Sequence, residues 1–399
     1  MYWKPHWLPC SIPLYLFNSI SVLKNSETLI CLAFLKTLSS TTFMFTINPN
    51  QLNAKKARFV QAEKVKKSIH YLINECQNKL SISDEKLAHS LLKLQDIERL
   101  TPEIHYYHHA LQAAMRRQEK DNVHILLLKL IDIIDHAASL EFKELSITSV
   151  GNLEWEKFVT EEAIRLTKED CDREAEITPI SESTLSFFKD VVTAALCIIA
   201  RHDSDMYDEI HEQVKIIKLF DGKVTMGLTD VRILGAMLIR LPRQNLNPVL
   251  YFLEHIVHEA SHIHLNCLMA MDPIILNSSE DRFASPLRKD LRPMVGVLHA
   301  TYVSARIVRT FLQIYLATNN QEFLHPLAET LDEVIRGMVE IKKHAKLTEA
   351  GGQLIASIQT LIESAKTLPE WQQYNFKAPR MHRFGAGTTK VNQLEQAIA

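Results

Sequence analysis

From position 44 onward, apolar side chains recur at intervals of three and four residues over most of the chain, the spacing of one buried helix face. The pattern predicts helices over residues 54–77, 84–97, 102–120, 123–140, 155–168 and 183–200. A second set is predicted over 248–271, 293–317, 321–344 and 348–365. Start and stop signals agree with it. Thr101-Pro102-Glu103 and Asn247-Pro248 each place a capping side chain before a first-turn proline. Between positions 206 and 241 the texture shortens toward strands. Residues 214–220 and 223–228, separated by Asp221-Gly222, predict a hairpin, and 231–241 a third strand. Residues 145–153 read as a loop or short strand. The expected fold is therefore α+β: mainly α, with a small β-sheet that precedes one long apolar helix.

The pattern also divides the chain. Residues 1–43 form an extension outside the core, 44–205 a helical region, 206–370 a second region holding the candidate chemistry, and 371–399 a polar tail. The extension is apolar and hydroxyl-rich, with only Lys4, Lys24, Glu27 and Lys36 charged. Pro9, Pro13, Asn18 and Lys24 break its apolar runs below the ~20 residues that span a bilayer. The reading preferred here is an upstream start, with the folded protein opening near Met44. A targeting segment and a further folded element are the alternatives.

Composition narrows the function classes. With 10 glycines in 399 residues, turn-rich β architectures are disfavoured. A net charge of -2 gives no basic field, so no nucleic-acid partner is expected, and no membrane partner either. The six cysteines are scattered without a C-x-x-C pair, as in a reduced, cytoplasmic protein.

The chemistry concentrates in His258-Glu259-Ala260-Ser261-His262. Histidines four apart lie about 40° apart around a helix, so both imidazoles can reach one ion. Glu259 between them can serve as a base or a further ligand. Two histidines leave a metal site incomplete, and the third donor separates the chemistries. His264 points about 200° away from His262 and reads as a packing residue. His255 shares the face one turn earlier and suits a supporting role. Glu280 sits in a predicted loop. His299, in the second turn of the helix after Pro293, is the stronger candidate. Just upstream lie Arg288, Lys289 and Arg292, cations able to hold a dicarboxylate near a metal.

Taken together, residues 253–262, the run Ser285-Pro286-Leu287-Arg288-Lys289-Asp290-Leu291-Arg292-Pro293, and Gly296-Val297-Leu298-His299-Ala300 resemble the HExxH-type peptide modification family. Its members resemble iron- and 2-oxoglutarate-dependent β-hydroxylases of ribosomally made peptides. The resemblance covers about residues 225–365, including the segment at 347–351, and leaves the N-terminal half unmatched. It implies Fe(II) held by His258, His262 and His299. It also implies 2-oxoglutarate as co-substrate, its far carboxylate on Arg292 or Arg288, with Glu259 orienting a ligand or water. A peptide substrate, possibly a precursor carrying a leader, would be the partner. The alternative is a zinc metallopeptidase in which Glu259 activates a zinc-bound water. A third reading is a helical interaction protein whose motif is incidental.

Overall fold

The structure, a computed structural model, describes residues 44–77, 84–137, 145–244, 246–288 and 290–372. The extension at 1–43 and nearly all of the polar tail lie outside them.

Four helices open the described chain: α1 (Gln51–Gln77), α2 (Asp84–Asp96), α3 (Pro102–Arg116) and α4 (Lys120–Ala137). They enclose a core of their own around Ile69, Leu94, Ile104, Leu111, Leu127 and Ile131. The Thr101 hydroxyl caps α3 by accepting from Ile104 N at 3.3 Å. Next come β1 (Ser146–Ser149), α5 (Glu154–Cys171), β2 (Glu176–Thr178), α6 (Glu182–His202) and α7 (Ser204–Gln213). Then follow β3 (Ile216–Lys223), β4 (Gly227–Leu228), β5 (Ala236–Arg240), α8 (Pro248–Met271), α9 (Met294–Thr318), α10 (Leu324–His344) and α11 (Glu349–Ala365). The molecule is thus mainly helical, with a small mixed sheet ahead of the motif helix.

The sheet runs β1-β3-β5-β4, with β2 added to the far end of β3. β1 and β5 flank β3 in parallel, while β4 pairs antiparallel with β5 and β2 with β3. Alternation along β5 splits two cores. Met237 and Ile239 face the large core of α6–α11, whereas Ala236 and Leu238 face a smaller one around Trp155 of α5. α8 lies within the large core and is apolar on nearly every side, so it is covered by α1, α6, α7 and α9 as well as by β5.

Three details depart from the sequence pattern. The expected hairpin at Asp221-Gly222 is absent, because β3 runs straight through both residues. Gly222 is there for close approach: a Cβ would stand 1.8 Å from Glu176 O on β2. The chain reverses at Val224 instead, with φ 70°. The third strand is shorter than predicted, since residues 231–233 form a 3₁₀ turn capped by Asp230 on Arg232 N at 2.7 Å. Helix α7 and strand β2 had no counterpart in the prediction. Of the described residues, only α6 is long and apolar enough to cross a bilayer, and its Leu185, Val192, Ala195 and Ile199 are buried in the large core.

Candidate metal centre

Helix α8 starts where its cap dictates. The Asn247 side chain accepts from Val249 N at 3.1 Å and Leu250 N at 3.3 Å, and Pro248 presets the first turn. Ten residues on, His258 and His262 emerge on one face. Their Nε2 atoms are 3.3 Å apart and the rings meet edge-on, with centroids at 5.0 Å. α9, opened by Pro293, brings His299 alongside. Its Nδ1 lies 3.2 Å from His262 Nδ1, with the rings stacked at 5.5 Å. All three side chains are partly buried. The structure therefore unites the three predicted histidines from two helices, 37 residues apart in sequence at the crossing.

The imidazoles are held neutral. Burial lowers His262 well below its ordinary value, helped by neighbouring His299, and burial alone lowers His299 to about 4. Neutral rings keep the lone pairs a metal needs. Nitrogens bound side by side to one ion at ~2.1 Å stand ~3.0–3.4 Å apart, which matches both contacts. The three form a chain, however, not a closed cage: His262 meets His258 through Nε2 and His299 through Nδ1. Among the described residues, no three His, Cys, Asp or Glu are grouped so as to hold one ion as they stand. The donor set fits iron or zinc, and a ring rotation at His299 or His258 would close it.

Glu259 turns away from the rings toward the sheet. Its carboxylate accepts from the Thr229 hydroxyl at 3.0 Å and lies against Gly227 of β4, where a Cβ would stand 2.1 Å from Oε1. Burial pushes this carboxyl up to about 7, against the hydrogen bond from Thr229, which favours the charged form. The opposite side of α8 is anchored. Ser261 donates to Val257 O at 2.6 Å and accepts from Arg306 Nε at 3.0 Å. Fully buried Arg306 also binds Glu209 of α7 and the Tyr302 hydroxyl. His264 is a packing residue, buried with Nδ1 3.0 Å from Gln213 Oε1. His255 is likewise buried, bonded to Tyr251 O at 2.8 Å and stacked on the Tyr251 ring.

The predicted cations occupy the approach to α9. Arg288 and Arg292 are both buried, and both reach Asp290: Arg288 Nε to Oδ1 at 2.8 Å and Arg292 Nε to Oδ2 at 2.6 Å. A two-residue bridge, Phe283 with Arg292, ties this segment down. Lys289 lies outside the described residues. Glu280 is exposed and takes the Ser279 hydroxyl at 3.2 Å. Sequence reasoning missed Gly227, Thr229, Glu209 and Arg306. Only Arg306 carried a signal, as a lone cation inside the apolar run of α9. No protein-family model matches this chain, and no curated protein is significantly similar to it.

Proposed function

We propose that this protein is an Fe(II)- and 2-oxoglutarate-dependent oxygenase that hydroxylates a side-chain β-carbon of a peptide. The observation that carries the reading is the contact of three neutral, partly buried imidazoles, His258, His262 and His299, supplied by two packed helices. These residues would hold the iron. When bound, iron with 2-oxoglutarate supplies the oxidising power to replace a C–H by C–OH. Arg288 and Arg292 would seat the far carboxylate of the co-substrate. The pair already accepts one carboxylate, that of Asp290, which is nearly half exposed and so displaceable. Glu259, bonded to Thr229 and packed on Gly227, fixes the rotation of α8 and with it the direction of both motif histidines.

The test is ferrous-dependent conversion of 2-oxoglutarate to succinate by protein purified without oxygen, with the metal counted on the same sample. Bound iron and turnover are expected. Absence of turnover with iron bound would reject the reading. One observation favours a second reading, a zinc metallopeptidase: a carboxyl near pKa 7 within the motif has the basicity of a general base. Peptide cleavage without 2-oxoglutarate, abolished in Glu259→Gln, would establish that alternative.

A further inference from the structure

Five arginines are buried among the described residues: Arg58, Arg240, Arg288, Arg292 and Arg306. Four have a carboxylate. Arg58 pairs with Glu212, Arg288 and Arg292 with Asp290, and Arg306 with Glu209. Arg240, 6% exposed, makes no side-chain hydrogen bond or ion pair with any described residue. Burying a guanidinium without an anion is costly, and its five N–H donors are left unused. Beside it stands a second unused donor. The Tyr251 hydroxyl is buried with no hydrogen-bond partner. The two are close enough for Arg240 to draw the phenol down, although burial still leaves it raised to about 12. Glu254 and Glu259 act on Tyr251 in the opposite sense, and neither is paired with Arg240.

The position of this pair is functional. Arg240 ends β5 and donates its backbone N–H to Met226 O at 2.9 Å, next to the Gly227 that receives Glu259. Tyr251 stacks on His255 at 4.0 Å. Positions 251, 255, 258 and 262 fall within about 60° around α8, so Tyr251 and the motif histidines share one face. At 1.5 Å per residue, Tyr251 precedes His258 by ~10 Å along the helix.

We propose that Arg240 and Tyr251 form a carboxylate seat on the face of α8 that leads to the three histidines. The guanidinium fork takes one or both oxygens and the phenol O–H donates to the same group. A single cation flanked by Glu254 and Glu259 suits a singly charged carboxylate better than a doubly charged phosphate. The seat deepens the oxygenase reading by giving the substrate side of the site an acidic group to recognise. That group comes either from a free dicarboxylate or from an acidic residue of the peptide.

The experiment keeps the two readings apart, because it uses the full chain with EDTA and needs no metal. Ligand-observed NMR titrations use glutarate as the free dicarboxylate and N-acetyl-aspartate N-methylamide as the peptide acid. At least one is expected to bind in the millimolar range, and the tighter one names the source. Arg240→Gln is expected to weaken it by at least about 10-fold and Tyr251→Phe by about 3-fold or more. Arg243→Gln, an exposed arginine three residues on, should leave the affinity within about 2-fold. Should Arg240→Gln misfold by circular dichroism, Tyr251→Phe decides alone. Binding of neither probe, undiminished binding in both site variants, or an equal loss in Arg243→Gln would overturn the seat, whatever the iron assays give.

Discussion

At the scale of single residues, the site is a matter of which atoms face one another. His299 is the only one of the three imidazoles on α9, so His299→Ala removes the donor that links the helices. Retention of ferrous iron after anaerobic desalting is expected to fall at least about tenfold in this variant, while unchanged iron content would exclude His299 as a ligand. Glu259 gives a second prediction. The Thr229 hydroxyl bonds its charged form, so Thr229→Val must raise the carboxyl further above about 7. In metal-free protein, the infrared carboxyl band of Glu259 should persist to higher pH than in the parent protein, and a band that bleaches at the same pH or lower would contradict the assignment. The three histidines and Glu259 were legible in the sequence because four-residue spacing is a local property of a helix. Arg240 was not, because what distinguishes it is the absence of a carboxylate across space, and no spacing records that.

At the scale of elements, α3 carries the largest electrostatic liability outside the site. His105, His108 and His109 are all pushed down by burial, His105 to about 3 and His109 to about 4, with neighbouring histidines adding to the shift. A base whose folded pKa is depressed binds its proton more readily when unfolded. Stability is therefore full above the unfolded value near 6.5 and is lost as pH falls from there toward 3 to 4. For His105 alone the full loss is on the order of 4 kcal/mol. Amide exchange in α3 should accelerate between pH 6.5 and 4.5 ahead of exchange in α8, and His105→Leu should blunt that difference. Equal pH dependence in both helices would show that these imidazoles do not govern the bundle. The helices themselves were readable to within a few residues, since caps such as Asn247 and Thr101 act locally. The strands were less so. Asp221-Gly222 has the chemistry of a tight turn, yet β2 crossing over Gly222 turns that glycine into a packing position within β3.

At the scale of the whole molecule, Arg306 joins parts that the chain keeps far apart. It reaches Ser261 in the motif, Glu209 on α7 and Ile47 O near the start of the described residues. Glu209→Ala leaves that guanidinium buried with no carboxylate and is expected to cost about 3–5 kcal/mol, read as a lower denaturation midpoint. The double change Glu209→Leu with Arg306→Met should cost less than half as much, because it removes the stranded charge along with its partner. If the single and double variants lose equal stability, the pair is not acting as a charge pair. By itself the sequence determined that this chain is mainly helical, that a small sheet precedes the motif helix, and that two imidazoles share that helix face. Each of these follows from periodicity and capping, which operate within a few residues. Only the tertiary structure decided that His299 meets His262, that Glu259 turns to the sheet, and that Arg240 alone among the buried arginines lacks an acid. Those are relations between segments up to tens of residues apart, set by how cores close and by what each buried charge finds on the facing element.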